Sequence, residues 1–395
     1  MKKGWEVKKL GEVCEYSNGK AHEQYIKKEG KYIVINSKFI SSDGRVFKRT
    51  NEALFPLSQG AIAMVLSDVP SGKALAKCYL IEKDDTYSLN QRICAIRSDK
   101  FYDKFLYYQL NRNKHFLSFD NGENQTNLRL NQILDCLLYL PPFSEQKRIV
   151  VILDKAFVTI VKAKENAEKN LQNSRELFES YLQNVFANPG KGWEKKKLGE
   201  ICDFVRGPFG GSLKKSCFKS KGIVVYEQQH AIYDQFEEIR YFIDEKKFNE
   251  MKRFEVAPGD LIMSCSGTMG KVAIVPDNVR KGIINQALLK LSPNKNLLAR
   301  FLKLWMGSPN FQDQLAKYSL GAAIKNVASV KTLKEIDVPL PPLSEQKHII
   351  AKLDAISVET KKLEAMYQQK LYDLDELRKS ILQKAFKGEL VGACS

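Results

Sequence analysis

The chain is written twice. Gly4-Trp5-Glu6-Val7-Lys8-Lys9-Leu10-Gly11-Glu12 returns as Gly192-Trp193-Glu194-Lys195-Lys196-Lys197-Leu198-Gly199-Glu200. Leu140-Pro141-Pro142-Phe143-Ser144-Glu145-Gln146-Lys147 returns as Leu340-Pro341-Pro342-Leu343-Ser344-Glu345-Gln346-Lys347. The front pair is offset by 188 residues and the back pair by 200, so the interiors differ by 12 (200 minus 188). A tandem duplication of this kind demands two bodies built on one plan. The matching ends read as a shared frame, and the unlike middles as two different recognition surfaces.

With 395 residues, 44% hydrophobic and 28% charged, the chain can bury two or three real cores, and disorder is not the default. A formal net charge of +17 points to a polyanionic partner, because a basic surface gains free energy by displacing counterions from phosphates. Nucleic acid is the first candidate and an anionic membrane the second. No apolar run approaches the ~18 to 20 residues of a spanning helix, and Met1-Lys2-Lys3-Gly4-Trp5 has no apolar stretch behind its lysines. The expectation is a cytoplasmic protein with no membrane partner. The eight cysteines contain no Cys-x-x-Cys pair and only four histidines accompany them, so neither a zinc site nor a redox dithiol has its usual spacing. Cys14 and Cys202, at equivalent positions beside apolar neighbours, read as buried packing residues.

Short apolar runs separated by turn residues predict strands at 32–36, 61–66, 76–81 and 93–96, followed by a helix at 103–110. The second half repeats the plan, with strands at 222–226, 260–264, 272–275 and 287–291 and a helical stretch at 297–304. At Ser144 the pattern changes. Two prolines hold the chain extended, Ser144 can cap a first turn, and Glu145 puts negative charge at the positive end of the helix dipole. A long helix is predicted to run from there to Asn188-Pro189-Gly190, with a seam through Ile149, Leu153, Ile160, Ala167, Leu171, Ser174, Leu177, Tyr181 and Val185. Its copy keeps Leu353, Ile356, Leu363, Tyr367, Leu371, Leu374, Leu377 and Ile381. An apolar stripe this long must be covered, and the nearest partner is its own copy, so an antiparallel coiled coil within the chain is inferred.

The expected fold is therefore α+β, with globular modules at 1–143 and 191–343, a first long helix at 144–190, and a second long helix with a C-terminal tail at 344–395. Antiparallel pairing gives the repeats approximate two-fold symmetry, which suits duplex DNA, and unlike halves would read an asymmetric, split site.

Leu140-Pro141-Pro142-Phe143 invites comparison with the Asn/Asp-Pro-Pro-Phe/Tyr motif of DNA amino-methyltransferases, but leucine cannot hold a target amino group and no Gly-rich cofactor loop follows a strand. Ser266-Gly267-Thr268-Met269-Gly270-Lys271 is too short between its glycines for a phosphate loop, and Val272 replaces the required hydroxyl. Together with Ser67 to Lys73 it puts a Gly-Lys turn between similar strands in both modules, so Ser71, Lys73, Ser266, Thr268 and Lys271 are candidates for phosphate or base-edge contact beside the plain reading of a β-turn. Asn90-Gln91-Arg92 and Asn285-Gln286 carry side chains able to bond adenine or guanine bidentately, against the alternative of amides that merely close a turn. Gln125, Asn127, Arg129 and Lys325 sit in polar segments before each module's last strand, and Arg206, Lys214 and Lys215 in a basic loop of the second module alone. Lys38, Arg45 and Gln228 complete the candidate DNA contacts. Ser144, Glu145, Gln146, Leu153, Leu171 and Leu177, with Ser344, Glu345, Gln346, Leu353, Leu371 and Leu377, are candidates for helix pairing and subunit docking. No triad, paired-carboxylate or metal constellation stands out, so neither catalytic nor metal residues are assigned.

The duplicated Leu-Pro-Pro-x-Ser-Glu-Gln-Lys junctions, the opening Gly-Trp-Glu-x-Lys-Lys-Leu-Gly-Glu of each half and the ending Ile381-Leu382-Gln383-Lys384-Ala385-Phe386-Lys387-Gly388-Glu389-Leu390 together resemble the specificity subunit of type I restriction-modification systems. The resemblance covers essentially the whole chain. It implies two target-recognition domains on double-stranded DNA, each reading half of a split sequence. The paired helices would serve as a ruler and as the platform for two modification (methyltransferase) subunits, with restriction (translocase and endonuclease) subunits joining them. It implies no cofactor in this chain, with S-adenosylmethionine, ATP and Mg2+ belonging to those partners. A self-contained methyltransferase or nuclease, and a coiled-coil scaffold that binds only proteins, are the alternatives.

Overall fold

The computed structural model describes residues 4–70, 72–319 and 329–390. Ser71 and Lys325 lie outside them. The chain divides into two units, Met1–Asn166 with Lys370–Ser395, and Ala167–Gln369. Each unit therefore takes in half of both long helices rather than standing apart from them as the expected boundaries suggest. The reason is burial: the apolar face of each helix half is part of its own unit's core.

Both units are α+β. In unit 1 an antiparallel sheet runs in the order Glu15–Asn18, Ile93–Arg97, Ile62–Val65, Cys78–Leu80. A second sheet runs Ile26–Lys27, Lys48–Thr50, Tyr32–Ile35, Tyr87–Leu89, its last pair parallel. The strand Ile62–Val65 shows why these runs are wholly apolar. Alternate side chains point to opposite faces, so Ile62 and Met64 join a core with Phe105, Leu106, Ile149 and Leu153, while Ala63 and Val65 join one with Ile35, Phe39 and Leu89. Both faces are covered. Unit 2 repeats this with Cys202–Arg206, Leu288–Pro293, Leu261–Ser264, Val272–Ile274 in one sheet and Phe242–Ile243, Ile223–Tyr226, Gly282–Ile284 in the other. There Leu261 and Met263 face the helical core and Ile262 the opposite one. The predicted helix at 103–110 is present at Asp103–Leu110, and the second lies at Ala299–Gly307.

The repeated ends fold onto each other. Glu6–Lys9 pairs antiparallel with Leu137–Leu140, and Glu194–Lys197 pairs in the same way with Asp337–Leu340. The indole of Trp5 donates to Glu145 at 3.0 Å, and that of Trp193 to Glu345 at 2.7 Å. Gln146 is 1% exposed; it accepts from the Tyr102 amide at 2.7 Å and donates to the carbonyls of Lys100 and Pro141. Gln346 does the same with the Leu298 amide at 2.9 Å and the carbonyls of Asn296 and Pro341. These glutamines bind their own unit to the start of its helix. Fully bonded and buried, they are not available to a docking partner, which corrects that expectation for Gln146 and Gln346.

The long helices, α1 (Phe143–Ala187) and α2 (Leu343–Lys387), each span 45 residues. Each opens one residue before its serine, with the carbonyl of Pro142 or Pro342 accepting from the amides of residues 145 and 146, or 345 and 346. Ser144 and Ser344 thus lie inside the first turn, and the capping expected of Ser144 gives way to the Pro-Pro turn itself. In unit 1, Ile149, Leu153, Phe157 and Ile160 of α1 share a core with Leu374, Ile381, Ala385 and Phe386 of α2, and Lys164 pairs with Asp375. In unit 2, Phe178, Leu182 and Phe186 of α1 share one with Ile349 and Leu353 of α2, and Arg175 reaches Glu364 at 3.2 Å. Early residues of one helix meet late residues of the other in both units, so the pairing is antiparallel. The seam departs from the predicted one at Leu177 and Leu377, which are 50% and 47% exposed. Phe178 takes the inward place in unit 2, and in unit 1 Arg378 lies over the Phe157 ring at 4.9 Å. No helix among the described residues is long and apolar enough to cross a membrane.

Candidate nucleic-acid interface

In unit 1, three segments singled out in the sequence meet at one end of the four-stranded sheet. Val65 pairs with Ile93, and just beyond them the Leu66 amide donates to the Arg92 carbonyl at 3.0 Å. The Gly-Lys turn leaves from that point. Its first residues, Ser67 and Asp68, pair with Asn127 and Thr126, and the Leu128 amide donates to the Leu66 carbonyl at 2.8 Å. The Asn90 amide donates to the Ile35 carbonyl at 3.0 Å, which brings the helix Ser37–Ser41 and its Lys38 to the same end. Lys38, Lys73, Gln91, Arg92, Gln125, Asn127 and Arg129 are all exposed. Arg45 is exposed too, with its Nε on the Ser42 carbonyl at 3.0 Å. Lys20, not singled out from the sequence, belongs here: its carbonyl accepts from the Gln91 amide at 3.0 Å and its side chain is exposed.

Unit 2 assembles its own set. The Cys265 amide donates to the Ala287 carbonyl at 2.9 Å, the Asn285 amide to the Tyr226 carbonyl at 2.9 Å, and the Gly207 amide to the Leu288 carbonyl at 2.9 Å. Arg206, Thr268, Lys271 and Gln286 are exposed around that point. Lys214 and Lys215 are exposed beside Leu213, whose side chain is buried among Ile223, Val225 and Ile243.

Several amides expected to read bases are already engaged. Asn90 is 9% exposed; it accepts from the His22 amide at 3.1 Å and donates to Glu23 at 3.3 Å. Asn285 accepts from the Ala287 amide at 3.0 Å, which closes the turn. Gln228 donates to the Ser266 carbonyl at 2.5 Å and accepts from the Ser266 amide at 3.3 Å. Asn90 and Gln228 have both ends of their amides bonded and are structural, which corrects the base-reading expectation for those two; Asn285 closes its turn through Oδ1 alone. The Gly-Lys turns are also closed from within. Asp68 accepts from the amides of Val69, Ala74 and Leu75, filling with its own carboxylate the nest of N–H groups that a phosphate loop would leave open. In unit 2 the Ser264 hydroxyl accepts from the Lys271 amide at 3.0 Å. The polar side chains these turns offer outward include those of Lys73, Thr268 and Lys271, and the unit 1 turn also exposes Val69.

Nothing in this arrangement resembles a nucleophile with its base. Burial pushes the thiols of Cys14 and Cys202 up to about 12, although Cys14 is only partly buried. Among the described residues no group of three or more His, Cys, Asp or Glu side chains is placed to hold a metal ion.

The sequence matches the family described as Type I restriction modification DNA specificity domain over residues 2–170 and again over 190–371, once for each copy. The type I restriction enzyme EcoBI specificity subunit of Escherichia coli is 26% identical over 336 residues, covering 76% of this chain and 69% of that one. Among solved structures, a chain of the type I R-M system superposes with a TM-score of 0.78 at 21% identity, covering 98% of this chain and 99% of its own. The HsdS subunit from Thermoanaerobacter tengcongensis superposes with a TM-score of 0.63 at 21% identity, covering 98% of both. At that identity the superpositions speak for the fold.

Proposed function

Because this chain belongs to the type I restriction modification DNA specificity family, we propose that each of its two units reads one half of a split, asymmetric site on double-stranded DNA. The chain is a specificity subunit, not an enzyme. The observation that carries the two-site reading is the convergence, in each unit, of turns from separate parts of the sequence on one end of a braced sheet. Exposed amides and guanidinium groups on such rigid turns suit base edges, with Gln91 and Arg92 in unit 1 and Gln286 and Arg206 in unit 2. Lys20, Lys38, Lys73 and Lys271 suit phosphates, which fix register and make affinity fall steeply with salt.

The partners follow from the same reading. Modification subunits dock on the helix pair and supply S-adenosylmethionine and methyl transfer, two of them because the helix frame is duplicated; restriction subunits bring ATP and Mg2+. Methylome sequencing of the host with and without this gene tests it. The expected result is a bipartite motif, two defined parts flanking an undefined spacer, that loses methylation when the gene is removed. S-adenosylmethionine-dependent methylation by the purified chain alone would overturn it.

A further inference from the structure

Phe209 is 92% exposed, further into water than any other large apolar side chain among the described residues. Nothing about folding explains that. A phenyl ring left in solvent forgoes the burial that stabilises every core phenylalanine of both units. Its backbone is nonetheless firmly held. Pro208 before it is buried, Leu213 after it is 7% exposed in the core, and the Ser212 amide donates to the Phe209 carbonyl at 2.8 Å. Gly207 presses against the reading turn so closely that a Cβ there would sit 1.9 Å from the Asn285 carbonyl oxygen. The ring therefore projects from a braced support beside the Asn285–Gln286 turn, in a segment that also carries the exposed cations Arg206, Lys214 and Lys215.

An exposed apolar ring in a cationic segment matches one feature of duplex DNA. The cations take phosphates, and the ring finds apolar surface at a thymine methyl in the major groove or, more completely, between bases, where wedge residues partly unstack a step. We propose that Phe209 enters the base stack at the half-site read by unit 2 and unstacks one base step there. This rests on the reading of unit 2 as a DNA-recognition module. Unit 1 has the matching brace, with a Cβ on Gly19 falling 2.1 Å from the Asn90 carbonyl oxygen, but no exposed aromatic ring directly after it. The residues after it are Lys20, Ala21 and His22, and His22 is buried with its ring on the Lys20 carbonyl and the Ser88 hydroxyl.

The test uses the full-length chain and a duplex selected by it from a random-sequence pool, carrying 2-aminopurine at one purine at a time. The expected result is a several-fold fluorescence rise at a single step of one half-site. F209A should abolish the rise and weaken binding by roughly tenfold to a hundredfold, while F209L keeps most of both. Because the side chain is in solvent, F209A will fold. An unchanged rise in F209A overturns the wedge while leaving salt-sensitive selection of DNA intact. If that unchanged rise comes with weakened capture of the modification subunits, the ring is a protein contact and the proposal again falls. If no duplex is selected at all, DNA reading by this chain falls, and the wedge with it.

Discussion

The two units do the same structural work with the same residues in one region and with different residues in another. At the helix starts the match is residue for residue: Trp5 on Glu145 and Trp193 on Glu345, with Gln146 and Gln346 each bonding one amide and two carbonyls. At the Gly-Lys turns the backbone is held by an Asp68 carboxylate in unit 1 but by the Ser264 hydroxyl and the Gln228 amide in unit 2. A buried position with three fixed partners tolerates one side chain. A solvent-facing turn can be closed in several ways, so its outward residues are free to differ between the two copies.

The largest expected effect lies in the buried frame. Q146A strands the Tyr102 amide and two carbonyls, and Q346A strands the Leu298 amide and two carbonyls, at about 1–3 kcal/mol per orphaned group before relaxation. Each variant should lose roughly 3–5 kcal/mol in chemical denaturation. Similar losses in the two would confirm that repetition marks equal structural work. A loss in only one would break the comparison.

Next comes the helix pair. Leu171 and Leu371 are half-buried, so aspartate at either puts a charge where part of the side chain is out of water and should cost about 2–3 kcal/mol. Methylation should fall at every site with the consensus unchanged, which sequencing of the modified motif would read directly.

The divergent turns should behave in the opposite way. Replacing Gln91 and Arg92 by alanine removes exposed donors from unit 1 alone, at about 1–3 kcal/mol per lost bidentate base contact. The motif should relax at one half-site and stay intact at the other. Uniform loss across both would show that these residues support assembly instead.

This contrast also accounts for what could be read from the sequence. The strands were legible because both faces of Ile62–Val65 and Leu261–Ser264 are covered, leaving unbroken apolar runs. The helix starts were legible because Pro-Pro followed by Glu-Gln occurs twice. For Asn90 and Gln228 the sequence leaves both readings open, because an amide that closes a turn and one that reads a base are the same residue type; only the partner, supplied by a distant segment, separates them. Lys20 gives no local signal for the same reason: the bridge from its carbonyl to Gln91 joins residues 71 positions apart (91 minus 20). Phe178 did offer a signal. Its bulk outweighs Leu177, and a step of four from Ser174 reaches it, as a 3.6-residue helix followed over several turns requires.

The smallest expected effect tests that seam. Leu177 and Leu377 are 50% and 47% exposed; beside them Phe178 packs into the core of unit 2, and in unit 1 the exposed Arg378 lays its guanidinium over the Phe157 ring. Aspartate at either leucine leaves those inward contacts standing and should change stability by no more than about 0.5 kcal/mol, the ordinary range for a surface substitution. The contrast with L171D and L371D then turns on position alone, since the change in residue type is identical. If L177D and L377D nevertheless lower methylation at all sites while denaturation is unaltered, the exposed leucines face the modification subunits. Normal stability and normal methylation would assign them to solvent. Destabilisation as large as that of L171D would place them on the seam after all and undo the distinction drawn between the inner and outer faces of the pair.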